Sequence, residues 1–93
     1  MENSKRYAVM AYDKDNDIFK LVGDIYPDVS TAITVAKAFT LAVEEDYLCN
    51  HILEKQSNGQ YENKKEPFDW IEVWDNHQNQ SCIWRAGEYV ISK

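Results

Sequence analysis

The chain has 93 residues and a mass of 10.9 kDa, which is the size of one domain with one core. It carries 10 Lys and Arg against 16 Asp and Glu, a net charge of −6, and 44% of its residues are hydrophobic, a composition typical of a globular domain rather than a disordered one. It has no membrane-length apolar run, no recognisable secretory leader and no basic phosphate-binding surface, so we expect a cytoplasmic protein that contacts neither membrane nor nucleic acid directly.

Cysteine content agrees with that location. Cys49 and Cys82 are the two cysteines, fewer than a secreted domain of this size ordinarily uses as disulfides. We predict two buried thiols, and a single disulfide between them remains the alternative.

The N-terminal part of the chain predicts a β-hairpin. Residues 1–6 are polar and are expected to fray. An apolar run at 7–12 and an alternating run at 18–25 flank an Asp- and Asn-rich turn at 13–17, which is the pattern of two antiparallel strands. Gly23 is expected to mark a bulge or the end of the second strand.

Residues 29–48 predict one long amphipathic helix. Asp28 is the expected N-cap, with Ser30 as the competing choice. Turning about 100° per residue collects the apolar side chains on one stripe. These are Val29, Ala32, Ile33, Ala36, Phe39, Val43 and Tyr47.

The polar stretch at 54–67 has almost no apolar anchors. Asn58-Gly59 is a favourable pair for closing a hairpin, whereas the length and composition of the stretch fit a mobile loop equally well. Both interpretations remain open, and we take the mobile loop as the working one.

The C-terminal part predicts a second hairpin. Alternation at 68–74 places Phe68, Trp70, Glu72 and Trp74 on one face, and a polar turn at 75–80 leads to a strand at 81–85. A fifth strand near 89–91 is optional. The chain therefore predicts an α+β fold in which an antiparallel sheet of four or five strands packs on one long α-helix, in the order β-β-α-β-β.

Two groups of residues have metal-ligand chemistry without the right spacing. Asp13, Asp15 and Asp17 alternate as in a calcium loop, but the sixth position is Ile18 rather than glycine. We interpret them as a solvated turn.

The second group is Cys49, His51, His77 and Cys82, whose spacing is not that of a zinc site. We predict no bound metal and no cofactor, and a small metal-binding protein is kept as a third hypothesis.

Catalysis has little support in the sequence. Ser81-Cys82 follows Asp75 and His77 within one hairpin, but there is no glycine-rich nucleophile elbow, dinucleotide fingerprint or phosphate loop. We therefore expect a protein that is not an enzyme.

The tryptophans point to a binding surface. One helix covers only one face of a sheet, so a large apolar patch is expected on the other face, and Trp and Tyr dominate binding hot spots. The leading hypothesis is an interaction module that regulates or inhibits a protein partner, with a homodimer as a further expectation. The predicted contact residues are Trp70, Glu72, Trp74, Trp84, Asp69, Asp75, Glu44 and Glu45.

The acidic surplus supports an alternative hypothesis. Carboxylates spread over a small surface imitate phosphates and can occupy a basic nucleic-acid-binding protein, which is how small anti-restriction and anti-CRISPR inhibitors of phages and mobile elements act in general. No motif ties this chain to any of them. The mimic charges would be Asp13, Asp15, Asp17, Glu44, Glu45, Asp46, Asp69, Glu72 and Asp75.

Overall fold

A computed structural model describes residues 5–77 and 80–90. In chain order the elements are β1 (Tyr7–Asp13), β2 (Ile18–Tyr26), α1 (Val29–Glu44), β3 (Cys49–Lys55), β4 (Tyr61–Pro67), β5 (Trp70–Asp75), β6 (Ser81–Arg85) and β7 (Glu88–Tyr89). The α+β class predicted from the sequence is confirmed.

The main sheet has five antiparallel strands in the order β2-β1-β5-β6-β7. Three pairs of consecutive strands form hairpins: β1 with β2, β5 with β6, and β6 with β7. In addition, β1 pairs with β5 at the centre of the sheet. The predicted strand number and the single covering helix are therefore correct for this sheet. The predicted order β-β-α-β-β is incomplete, because β3 and β4 follow the helix and form a separate two-stranded sheet.

Helix α1 begins where it was predicted and ends earlier. Asp28 is the N-cap, and its Oδ2 accepts the backbone N–H of Thr31 at 2.9 Å. Past Glu44 the chain turns at Asp46, whose φ of 62° is left-handed, a common way for a helix to stop. Tyr47, expected on the buried stripe, therefore lies outside the helix and is exposed.

The core lies between α1 and one face of the main sheet. Small residues on both sides let the helix approach closely, because Ala11, Ala32 and Ala36 are all fully buried. Among the described residues, this core cluster is formed by Val9, Ala11, Ala32, Ile33, Ala36, Phe68, Ile71, Val73 and Trp84.

Gly23 forms the predicted bulge in β2. Strand pairing shifts between Ala8 and Met10, and Gly23 has a φ of +71°. A Cβ atom added there would lie 2.9 Å from Cε2 of Phe39. Glycine is therefore required both by the backbone conformation and by the close approach of a core ring.

The stretch at 54–67 forms a hairpin, so the mobile loop taken as the working interpretation is wrong. Strands β3 and β4 pair along their length, and the connection at 56–60 turns at Gly59, whose φ is +86°. We call the hairpin of residues 49–67 the arm. It is exposed along most of its length, and the molecule measures 50 Å along its long axis against 29 and 25 Å across.

The base of the arm is fastened to the main sheet by buried polar groups. Asn50 is fully buried, and its Nδ2 donates to Oδ2 of Asp13 at 2.9 Å. Burial raises the pKa of Asp13, but hydrogen bonds from Asn50 and Asn16 outweigh that effect and hold this pKa below its ordinary value. Asp13 is thus a structural carboxylate rather than part of a solvated turn.

The predicted fraying at 1–6 does not extend to Arg6, and residues 1–4 lie outside the described residues. The Arg6 guanidinium donates to both carboxylate oxygens of Asp75 at 2.9 Å. Its backbone N–H also donates to the carbonyl oxygen of Tyr26. The chain is therefore held in place from Arg6 onwards.

Candidate functional site

One face of the main sheet is not covered by the helix. Because side chains alternate along a strand, β1 and β5 each place every second residue on the side away from α1. Within the described residues, no other element packs on that side as α1 packs on the core side. We call it the open face, and its residues are Ala8, Met10, Tyr12, Phe19, Leu21, Ile25, Trp70, Glu72 and Trp74.

Four aromatic rings form a row across the open face. Tyr12 stacks on Phe19 with ring centroids 4.4 Å apart, and it lies 5.2 Å from the ring of Trp70. Phe19 in turn meets Trp74 edge-on at 6.0 Å. The rings therefore support one another over three strands and present a stiff apolar surface.

A buried carboxylate holds the two indoles of this row. Glu72 is only 1% exposed, and it accepts Nε1–H of Trp70 at 2.6 Å and Nε1–H of Trp74 at 2.7 Å. Its third partner is Nε of Arg85, at 2.9 Å. A buried charge is tolerated only when it is paired and hydrogen-bonded, and here three donors meet that need. Glu72 orients the face from within, so the expectation that a partner contacts it directly is wrong.

Trp84 is not on the open face. It is 1% exposed and packs in the core on the helix side. The reason is a bulge in β6: Val73 pairs with Trp84 while the next residue, Trp74, pairs with Cys82. The extra residue breaks the simple alternation and puts Cys82 and Trp84 on opposite faces. Grouping Trp84 with the two other tryptophans was therefore an error.

The acidic residues predicted for the site do not gather around the tryptophans. Glu44 and Glu45 lie exposed at the end of α1, on the other side of the sheet. Asp69 accepts the backbone N–H of Lys14 at 2.6 Å. Asp75 is engaged by Arg6, and the hydrogen bond from that guanidinium lowers the pKa of Asp75 below its ordinary value.

A pocket of about 420 Å³ opens on this face beside Trp74, a volume within the usual range of ligand sites. Its lining is Ala8, Met10, Phe19, Leu21, Ile25 and Trp74, with Asn76 and Gln80 supplying the polar groups. This pocket was not predicted from the sequence, although the alternation in β2 places Phe19, Leu21 and Ile25 on one face. The alternation alone does not show which face of the sheet the helix covers.

Among residues 5–77 and 80–90 the candidate metal ligands do not assemble into a site. The described residues hold no group of three or more His, Cys, Asp or Glu that could bind a metal ion. Both cysteines are free thiols, but each is partly exposed, so the prediction that they are buried is wrong. Burial, together with the charge of Glu72, raises the pKa of Cys82 to about 11, the reverse of the shift that activates a nucleophilic cysteine.

The comparisons with known proteins supply no relative. No family model matches the chain, and neither a curated protein nor a solved structure is significantly similar to it. Across 5–77 and 80–90 there is also no helix with the length and apolar character needed to cross a membrane.

Proposed function

We propose that this protein is a non-enzymatic interaction module that binds a protein partner through the open face and thereby regulates or inhibits it. The observation that carries the proposal is the uncovered aromatic row with its adjoining pocket. Phe19 and Leu21 are exposed there despite being large apolar residues, and a contiguous apolar patch on a soluble domain is a mark of an interaction surface.

The face is organised in advance for binding. Both indole N–H groups already donate to Glu72, so the rings keep their orientation without a partner. Association therefore does not need to order these side chains, a step that ordinarily costs about 0.5–1.5 kcal/mol for each side chain. Tryptophan and tyrosine held in this way are the residue types that contribute most to binding energy.

The pocket lining indicates what the partner inserts. Its floor is apolar and none of its lining residues is charged, which favours an uncharged aliphatic or aromatic group. Asn76 and Gln80 at its rim each offer an amide donor and an amide acceptor, the complement of a peptide group. We therefore propose that the partner is a protein segment that places one apolar side chain beside Trp74.

The acidic-mimic hypothesis receives less support. Of its nine carboxylates, Asp13 and Glu72 are buried, and Asp69 and Asp75 are engaged by internal donors. A phosphate array needs its charges at the surface. We therefore prefer the apolar face.

The test is selection from a library of displayed peptides against the immobilised protein. We expect enriched peptides to share a large aliphatic or aromatic side chain. Leu21→Asp, a change at a half-exposed position in the pocket wall, is expected to weaken their binding by about tenfold or more, because burying a leucine is worth about 1.5–3 kcal/mol.

The matched control is Val29→Asp, which adds the same charge at an exposed apolar position in the first turn of α1 and is expected to leave peptide affinity unchanged. Substituting Trp70 or Trp74 is a poorer test, because each removes a hydrogen bond to Glu72. Enrichment of acidic peptides, or equal binding by wild type and Leu21→Asp, would contradict the proposal.

A further inference from the structure

The arm is a two-stranded hairpin on which no other element of the described chain packs along most of its length. A two-stranded hairpin alone is marginally stable in water, and Asn50 is the one residue of its two strands that is buried. Leu53 and Tyr61 are 66% and 62% exposed. Apolar side chains at this exposure on an otherwise polar ribbon indicate that the arm contacts another surface.

The two faces of the arm carry opposite charge. Pairing of Leu53 with Asn63 and of Lys55 with Tyr61 places Leu53 and Tyr61 on the same face, because directly paired residues share a face. We call it the basic face of the arm, and its residues are His51, Leu53, Lys55, Tyr61, Asn63 and Lys65. No carboxylate lies among them.

The acids of the arm lie on the reverse face. Lys64 is there too, and its Nζ is 3.8 Å from Glu54 and 3.3 Å from Glu66. Two of the three glutamates of the reverse face are thus paired within the arm. The two lysines of the basic face have no acidic neighbour on their own side of the ribbon.

The end of α1 has the complementary character. Leu41, Glu44 and Glu45 are spaced three and four residues apart and so lie on one side of the helix. Tyr47 follows at 84% exposure. The last turn contains no basic residue, so nothing on the helix offsets the negative end of its dipole. We call Leu41, Glu44, Glu45, Asp46 and Tyr47 the acidic end of α1.

We propose that two copies of this chain associate through their arms, with the basic face of each arm packed on the acidic end of α1 of the other copy. Each side of this contact brings two exposed apolar side chains, Leu53 and Tyr61 against Leu41 and Tyr47. Two copies that each carry −6 repel one another in most orientations. Contact through the basic face of the arm joins opposite charges instead, which selects this orientation.

A two-fold arrangement of the two copies lets both contacts form at once. Helix α1 ends shortly before the arm begins at Cys49, so its acidic end lies near the base of the arm, while Lys55 and Tyr61 lie next to the tip. At about 3.4 Å per residue the arm is on the order of 20 Å long. Two arms side by side and antiparallel bring each tip to the other's base, and a two-fold axis closes the dimer.

The experiment is the mass in solution by light scattering, with circular dichroism to confirm folding. We expect the wild type to dimerise with increasing concentration. Two double variants reverse charge at exposed positions: Lys55→Glu with Lys65→Glu on the arm, and Glu44→Lys with Glu45→Lys on the helix. Each is expected to raise the dimer dissociation constant by about tenfold or more.

An equimolar mixture of the two double variants gives the most discriminating measurement. In the mixed dimer one contact is native and the other is reversed on both sides, so opposite charges meet in both. We expect dimerisation to return. If the charge reversals weakened the dimer by any route other than this contact, mixing the two variants would not restore dimerisation.

Three results would overturn the proposal: a wild type that is monomeric at every concentration, dimerisation that both double variants retain, or a mixture that stays monomeric. Leu21→Asp separates this proposal from the function proposed above. If that variant abolishes the dimer while the arm variants keep it, the open face is the dimer interface and the arm is not. Loss of peptide binding in Leu21→Asp with the dimer intact supports two separate surfaces.

Discussion

Glu72 and Arg85 pair across β5 and β6, with Nε of the guanidinium 2.9 Å from Oε2 of the carboxylate. The carboxylate is buried while about half of the arginine side chain is exposed. The ion pair therefore joins a buried negative charge to a partly exposed positive one. The same carboxylate accepts hydrogen bonds from the indoles of Trp70 and Trp74. The orientation of the two indoles therefore depends on Arg85, which lies beside the aromatic row on β6.

Arg85→Met is expected to lower the free energy of unfolding by about 1–2 kcal/mol, because Glu72 loses its cationic donor while water reaches the site only in part. Urea denaturation measures the change. Lys64→Met, at an exposed ion pair in the arm, is the control and is expected to leave the midpoint where it is. An equal effect of the two substitutions would mean that Glu72 does not depend on Arg85.

Asn50→Ala is expected to lower the free energy of unfolding by about 2 kcal/mol, because it removes a buried donor to Asp13. It should also make hydrogen exchange faster in the arm than in the main sheet. Asn63→Ala, at an exposed position of the arm, serves as the control. Uniform exchange throughout the variant would show that Asn50 does not fasten the arm.

Asp13 also makes the stability depend on pH. Its pKa in the folded protein is below the ordinary value of 3.8, so its contribution is complete above that pH and is lost as the pH falls further. Removing the Asn50 donor raises this pKa towards its ordinary value. Urea midpoints measured from about pH 2 to pH 6 should therefore fall less steeply with acid in Asn50→Ala than in the wild type. Parallel curves would contradict the assignment.

Gly23→Ala is expected to destabilise the fold by about 2–3 kcal/mol, because the new Cβ meets the ring of Phe39 and the backbone is left-handed. Gly59→Ala isolates the second cause. Its φ is also positive, but no atom lies within 4 Å of the added Cβ, so we expect about 1 kcal/mol. Thermal denaturation compares the two variants. An equal loss of stability in both would show that the Phe39 ring moves aside without a measurable loss of stability.

Cys82 is expected to resist alkylation. With a pKa of about 11, about one thiol in a thousand is ionised at pH 8, and the thiolate is the reactive form. In a Cys49→Ser background, mass spectrometry should show slow modification by iodoacetamide in the folded protein and fast modification in urea. Equal rates would mean that the thiol is neither buried nor shifted.

Local features of this chain were predictable from its sequence, because short-range chemistry determines them. Asp28 caps α1 through a hydrogen bond three residues along the chain. Gly23 forms the bulge in β2. Each depends on a few neighbouring residues whose backbone preferences agree with the fold.

Long-range features were less accessible. Trp84 was assigned to the wrong face because one extra residue in β6 reverses its side, and nothing in the alternation of 81–85 shows that bulge. Glu72 was interpreted as a surface charge because its burial depends on Arg85 from the next strand and on the indoles of Trp70 and Trp74. The pocket draws on β1, β2 and β5 together, so it could be found only once their order was known.

The pairing of β1 with β5 at the centre of the sheet also has a consequence for how the chain folds. Lys14 binds Asp69 across 55 positions of sequence, and Arg6 binds Asp75 across 69. The helix and the arm both lie between these partners in the chain, and contacts so distant slow folding because a long loop must close before they form. During synthesis the first hairpin leaves the ribosome well before β5, and until β5 follows, one edge of β1 has no strand to pair with.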